Sequence, residues 1–447
     1  MMQQLRSYWL HTAACFLILV LAGCATYHPL PLPAAPDLTN APELTVPARD
    51  FMLPGLKPHI VSSRGLDETT IVMLAVFNDP DLKAARLQSG VASAQVLQAG
   101  LLPNPQFSAG YASSARNYGG VLSLSQDIQS LITRGTARAA ASATQKQVNL
   151  NILWQEWQVA GQASQLFIQC RSDQQLLGVL QANERLLARH YQTDLKAMQR
   201  GDETATTVSA DLTLLSNVQS SVRQLQSSIN LTRHQLNQLL GLQPGVWLHL
   251  IGPAQMHTTT PAQFHAAVAA LPHRRADLLA LQAGYHSQEE NLRRTILMQF
   301  PALSAGVDLG RDPVEGVNSF GPQVNLTLPI FNHNQGQVAI QRATRTVLRQ
   351  TYQARLDSAV NQADQVWRAN HILAAQLSDI DAELPILRQQ AAAAKQSLQQ
   401  NNLDAGAYVT MQSNYLSRQA EAIRLRASLD SASSAMRILL GLPFGAQ

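Results

Sequence analysis

The sequence predicts a mainly α-helical chain that also supplies strands to a membrane β-barrel: a duplicated unit of long helices and strand pairs, with four strands in all. Three observations predict it. First, Asn237-Gln238-Leu239-Leu240-Gly241-Leu242 recurs as Arg437-Ile438-Leu439-Leu440-Gly441-Leu442 at an offset of 200, and Asp81-Leu82, Pro105 and Gly110 recur as Asp277-Leu278, Pro301 and Gly306 at an offset of 196. Second, each copy holds a very long stretch of helical periodicity, over 136–199 and 335–400. Third, each copy has paired segments that alternate strictly between apolar and small polar residues. Composition agrees with a rod more than with a globular enzyme. Of 447 residues 46% are hydrophobic but only 5% aromatic and 14% charged, and Ala, Gln, Ser and Leu fill the long tracts. Collagen, a disordered chain and a disulfide scaffold are excluded, and the formal charge of +4 comes without a basic block, so no nucleic-acid partner is expected.

Residues 1–23 read as a secretory signal, with Arg6 as its charged start and an apolar run from Ala13 to Ala22 too short to span a bilayer. It ends in Leu21-Ala22-Gly23-Cys24, where small residues leave a peptidase an uncrowded backbone and the Cys24 thiol can take a diacylglycerol. This resembles a bacterial lipobox; incidental cleavage beside a cysteine and an uncleaved anchor are the alternatives. Ala25, in the place where an aspartate would signal inner-membrane retention, implies by the same resemblance an outer-membrane address. With Cys15 and Cys24 in the leader, Cys170 is left alone and no disulfide is expected.

Residues 24–60 form a strap whose prolines at 29, 31, 33, 36, 42, 47, 54 and 58 suppress helix in favour of extended backbone. Leu30, Leu32, Leu44, Phe51, Met52 and Leu53 would anchor it on the body. The first repeat then occupies 61–260 and the second 261–447. Each opens with a short helix (66–77; 261–271) and a longer one (74–99 at its widest; 274–299). A strand pair follows (about 104–128; about 301–331), then the very long helix, a tight turn and a returning helix (204–240; 405–440). The two shorter helices together match the long one in length, which at about 1.5 Å per residue reaches on the order of 95 Å. Broad or double apolar stripes, such as Leu177, Leu180, Leu187, Tyr191 and Met198, call for neighbours on two sides. The helices alone would also suit a coiled-coil spacer.

The strands argue against a spacer. Phe107, Ala109 and Tyr111 alternate with Gln106, Ser108 and Gly110; Leu122 and Leu124 with Ser123, Ser125 and Asp127; Leu303, Ala305, Val307 and Leu309 with Ser304, Gly306 and Asp308; Val324, Leu326 and Leu328 with Asn325 and Thr327. Lipid-facing and water-facing sides of a barrel fit this alternation, which a half-buried soluble sheet would share, with Ser123, Ser125, Ser304, Asp308, Asn325 and Thr327 as candidates for the lumen. Four strands cannot close. Two chains would give eight strands and three would give twelve, and only the larger barrel leaves a water-filled passage.

On these features the chain resembles the TolC-like outer-membrane efflux proteins in their lipid-anchored form, over nearly its whole length. The resemblance implies a homotrimer with a 12-stranded β-barrel in outer-membrane lipid and a periplasmic α-helical tunnel. It implies as partners a periplasmic adaptor protein and an inner-membrane pump of the RND type. Asn332-His333-Asn334-Gln335-Gly336, after Leu328-Pro329-Ile330-Phe331, is similar to the branch serving heavy-metal pumps; the first copy, Ser125 to Gly135, departs from that form. The family closes its tunnel at the periplasmic tip, which here carries Asp202, Glu203 and Asp404 at the turns. These acids either ring the pore or cap the returning helices, and the two roles are compatible. Tyr408 and Met411 stand where some relatives carry paired aspartates, which implies an apolar or aromatic constriction. No phosphate loop, nucleophile elbow or His-Glu-x-x-His occurs, and no histidine has another three or four residues away. The expectation is a non-enzyme with no cofactor and no metal site.

Overall fold

The computed structural model describes residues 27–40, 65–113, 118–254 and 259–442. The signal, Cys24 and the strap from 41 to 60 lie outside them. Two units divide the chain at Leu38/Thr39. Of the N-terminal unit, Tyr27–Leu38 is without helix or strand, and Leu30 and Leu32 are exposed. A segment of this proline density makes few backbone hydrogen bonds that could fold its leucines under.

The second unit carries, in order, α1 (Glu68–Asn78), α2 (Pro80–Gly100), β1 (Gln106–Ser113), β2 (Tyr118–Asp127), α3 (Ile128–Arg200) and α4 (Ala205–Leu239). The second copy gives α5 (Pro261–Ala269), the single turn α6 (Leu271–Arg274), α7 (Ala276–Leu297), β3 (Ala302–Arg311), β4 (Asn318–Thr327), α8 (Gln335–Gln399) and α9 (Ala405–Leu439). Among the described residues no helix is long and apolar enough to cross a membrane. Helix α2 packs on α3, α3 on α7 and α7 on α8 at the strand end, while α4, α3, α9 and α8 follow one another at the turn end. The strand order β1-β2-β3-β4, antiparallel throughout, repeats the lateral order α2-α3-α7-α8 of the helices that lead into it.

Punctuation residues explain the boundaries. Asp79 ends α1 through its N–H to Ala75 O (2.9 Å) and starts α2 by accepting from Leu82 N (2.7 Å), with Pro80 in the first turn, where its missing N–H costs nothing. The two expected helices therefore meet without overlap, the first ending at Asn78 and the second starting at Pro80. Both Leu-Leu-Gly-Leu segments close their helices alike: Gly241 and Gly441 sit at φ 63° and 62°, and Leu242 N–H reaches Asn237 O (2.8 Å) as Leu442 N–H reaches Arg437 O (2.9 Å). This double-bonded ending needs a left-handed residue, which glycine supplies without strain. Leu240 and Leu440 are fully buried beneath these turns.

The long helices begin differently. Helix α3 starts at Ile128, not 136, because Asp127 leaves the strand and at once accepts from Gln129 N (2.9 Å). In the second copy Pro329, which has no N–H, and Asn334 at φ 62° hold 328–334 out of helix until Gln335. Seven residues that form two turns of α3 thus have irregular, non-helical counterparts.

The core is a string of clusters. Around α1, Ile71, Met73 and Leu74 meet Trp157, Phe167, Leu236 and Leu240. Its counterpart gathers Phe264, Leu271, Leu278, Met436 and Leu440, with Trp367 stacked on Phe264 at 4.6 Å. Further along, Leu176 meets Leu225 and Ala420, and Leu186 and Leu187 meet Leu215, Val409 and Leu416. The repeats are also joined by buried polar groups, with the Ser164 hydroxyl donating to Glu68 (2.6 Å) and sharing a bond with Ser434 (2.7 Å).

Candidate functional site

Two regions carry the residues singled out by the sequence: the sheet and the turn end of the helices. Directly opposed residues in a sheet point to the same side, so register sorts the faces. Phe107, Leu124, Val307 and Pro322 form one row across the four strands, and Ala109, Leu122, Leu309 and Phe320 the next but one, all on one face. The other face holds Ser108, Ser123, Asp308 and Gly321 in one row, with Ser125, Gly306 and Gln323 in another, followed by Asp127, Ser304 and Asn325. All six residues expected to face a lumen, Ser123, Ser125, Ser304, Asp308, Asn325 and Thr327, share this polar face.

The apolar face is bare. Phe107, Tyr111, Phe320 and Val324 are each about seven-tenths exposed, while along β3 the polar-face residues Gly306, Asp308 and Gly310 are half-buried between exposed neighbours. The sheet therefore curls towards its polar side. Gly306 shows how tightly: an added Cβ there would run into the Leu124 carbonyl and the backbone of Ser125. An exposed apolar band of this size, with edges on β1 and β4 that no strand among the described residues pairs, is unstable against water and needs a covering phase and strand partners.

At the turn end, Gly201 (φ 84°) and Asn401 (φ 60°) end α3 and α8 with the same pair of backbone bonds, Asp202 N to Ala197 O (2.9 Å) and Asn402 N to Ser397 O (2.8 Å). The acidic residues then divide. Asp404 caps α9, accepting from Ala407 N (2.8 Å). In the first hairpin Thr204 is the cap (3.2 Å to Thr207 N), which leaves Asp202 paired with Arg200 (3.2 Å) on an exposed turn. Glu203 accepts from the Thr207 hydroxyl and from Thr204 N–H, which hold its carboxyl below the usual range. Tyr408 leans on the Leu186–Leu215–Val409 cluster, whereas Met411 is exposed, so the two do not project together in the single chain.

The structure also brings together residues that sequence spacing missed. His190 and Asp194 lie one turn apart on α3, Asp211 reaches in from α4, and His190 Nε2 is 3.5 Å from Asp194 Oδ2 and 3.8 Å from Asp211 Oδ1. Burial pushes the Asp211 carboxyl up, His190 opposes that shift and Asp194 adds to it. A search for paired histidines or cysteines passes over this set; the available signal was the i, i+4 His-Asp pair, whose third member comes from another helix. His333, by contrast, belongs to the turn before α8, where Asn332 accepts from Asn334 N (3.0 Å) and Asn334 Nδ2 ties the turn to Thr295 O (2.9 Å).

No family model matches the chain, and no curated protein matches it in sequence. Solved structures do. The outer membrane protein VceC of Vibrio cholerae superposes with a TM-score of 0.68 at 18% identity, covering 84% of this chain and 96% of that one. The Campylobacter jejuni CmeC outer membrane channel gives 0.69 at 14% identity, covering 95% and 96%. CusC, whose structures were described in terms of folding and transmembrane channel formation, gives 0.68 at 15% identity over 92% and 99%. The chain has the TolC-like fold of these outer-membrane channels. The matches are equally good, so they do not single out a heavy-metal branch.

Proposed function

We propose that this TolC-like chain is the outer-membrane channel component of a tripartite efflux system, passing substrates delivered by an inner-membrane pump of the RND type and a periplasmic adaptor. The observation that carries the reading is the four-stranded sheet, apolar on one face and polar on the other, whose open edges lie on the same lateral sides as the outermost helices. Side-by-side repetition of such a unit closes strands and helices in one operation. Three copies give twelve strands, enough to enclose water. Cys24 carries the lipid in this reading, and the two tip hairpins offer two similar docking places for adaptor protomers. Asp202, Glu203 and Asp404 border the tip opening. Asp404 acts there chiefly as a cap, and Met411 is the better placed of the apolar pair to narrow the passage.

The test is single-channel conductance of the purified, lipidated protein in planar bilayers, with its mass in detergent measured by light scattering. Discrete steps from a three-chain species are expected, with larger openings when Asp202, Asp404 or Met411 is replaced by alanine. A monomer or dimer without conductance, even after those replacements, leaves a lipid-anchored structural spacer as the better account.

A further inference from the structure

The first hairpin holds, back from its turn, a half-buried group of ligating atoms that the duct reading does not use. His190 Nε2, one Asp194 oxygen and one Asp211 oxygen all lie within 4.8 Å of one another. Their side chains are only 10%, 16% and 12% exposed. Among the described residues no lysine or arginine is within ion-pair distance of either carboxylate, so two acids share one imidazole in a largely dehydrated place. A second observation points to a missing ligand. Asp211 as a residue is 9% exposed; its Oδ1 faces His190, and its Oδ2, beside the Asp194 carboxylate, is closed off from solvent with no donor to bind. Buried polar atoms of this kind are rarely left unsatisfied.

The distances fit a metal. With metal–ligand bonds of about 2.0–2.1 Å, tetrahedral donors stand roughly 3.3 Å apart, and the imidazole is 3.5 and 3.8 Å from the two carboxylates. The two distances from the imidazole are within about half an ångström of that spacing, and the carboxylate oxygens lie within 4.8 Å of each other. One imidazole with two carboxylates and no thiolate suits zinc or manganese, and the nitrogen donor disfavours magnesium and calcium. Water would complete the shell.

We propose that His190, Asp194 and Asp211 form a binding site for a divalent transition-metal ion of the zinc class, which clips the start of α4 to α3. His190 is ten residues before the end of α3, so the clip lies about 15 Å from the turn. The site belongs to the first hairpin alone, because the positions 200 residues on are Gln390, Ala394 and Met411, a set without a carboxylate or an imidazole. The first tip hairpin is thereby held by a bond that the second lacks. The proposal is independent of whether the chain conducts.

The experiment strips the full-length protein in detergent with a chelator, dialyses it against micromolar Zn2+, and measures retained zinc by atomic emission beside Asp211→Asn and His190→Gln. The expected result is one more equivalent of zinc per chain in the parent than in either variant, and a zinc-dependent rise of the thermal midpoint in the parent only. The other eleven histidines give the same background in parent and Asp211→Asn, and Mg2+ in place of Zn2+ should shift nothing. Asp194→Asn is the third variant should one of the others fail to fold by circular dichroism. Equal zinc retention in the parent and the folded variants would overturn the proposal and leave the three side chains as a proton-sharing cluster.

Discussion

The two long helices come from one duplicated unit, yet they live in different surroundings. Helix α3 buries Trp157, Ala160, Phe167, Ile168, Leu176, Leu186 and Leu187 among others, while α8 buries only Val338, Ala359, Ala363, Ile380, Ala391 and Ala394. The difference is one of position. Helix α3 has neighbours on both sides and α8 on one, so α8 is the edge of the layer. Its outer side is nonetheless apolar: at 100° per residue, Ile340 and Val347 fall opposite Val338, Tyr352 and Leu356, and both are more than half exposed. Helix α2, at the other edge, shows Leu87 and Val91 in the same way. The comparison teaches that the outer side of the second copy is apolar and uncovered within one chain, the side on which the proposed assembly places the first copy of a neighbour.

The largest expected effect comes from breaking that edge. Ile340→Glu with Val347→Glu places two charges where a neighbouring chain should pack, and burying unpaired charge costs several kcal/mol. Light scattering in detergent should show single chains with unchanged helix content, and an intact assembly would mean that α8 is not an interface.

A second comparison concerns a node kept in shape and changed in chemistry. Arg86 donates to Val76 O (2.7 Å) and to Glu156 (2.7 and 2.9 Å). At an offset of 196, Gln282 donates to Pro272 O (2.8 Å) and to the Tyr352 hydroxyl (3.1 Å). Removing Arg86 strands a Glu156 that is almost wholly buried and whose carboxyl is already pushed up by that burial. Arg86→Met should therefore cost about 3 kcal/mol and Gln282→Met about 1 kcal/mol, read from chemical unfolding. Equal costs would show that the ion pair adds nothing to the shared geometry.

Asp430 sharpens the comparison through pH. Its carboxyl is pushed up to about 6, by burial first and by Glu68 second, whereas the first copy has Asn230 at the same place. A carboxyl raised in the folded state contributes its stability below its unfolded pKa, and that contribution is lost as pH rises through about 6. Asp430→Asn should accordingly raise stability at pH 8, by about 1 kcal/mol once solvent screening of the half-exposed group is allowed for. It should change little at pH 4. The same gain at both values would remove ionisation as the cause.

The smallest effects belong to the tip caps. Thr204→Ala and Asp404→Ala should each cost about 1 kcal/mol, with the charged Asp404 somewhat the larger because it also faces the positive end of α9. Thermal melts of the two variants give the order directly, and a costlier Thr204→Ala would reverse the assignment of the stronger cap.

Most of this arrangement was legible in the residues because it is written in local chemistry. The Leu-Leu-Gly-Leu endings, the alternation of Phe107–Tyr111 and Leu303–Leu309, and the turns at Gly201 and Asn401 depend on the residues that show them. What was not legible depends on partners. The early start of α3 hangs on the Asp127 cap, and Gly135 inside the helix costs only about 1 kcal/mol, too little to break it. Which turn acid caps was equally hidden, since Thr204 takes that role in one hairpin and Asp404 in the other. The His190–Asp194–Asp211 cluster needs α4 laid against α3, and no spacing along one helix announces it.

The central claim is that one chain's second-copy edge meets the next chain's first-copy edge. Disulfide trapping across the open strands tests it most directly. Ser108→Cys on β1 would be combined in turn with Ser319→Cys, Gly321→Cys, Gln323→Cys and Asn325→Cys on β4, all on the polar face. Within one sheet β1 and β4 stand three strand spacings apart, about 14 Å, too far for a bond inside the chain. Cys170 is buried, with its thiol pushed up to about 12, and so stays out of the exchange. The account predicts that at least one pair yields a covalent ring of three chains. Products that stop at two chains, or no cross-chain bond from any pair, would contradict it.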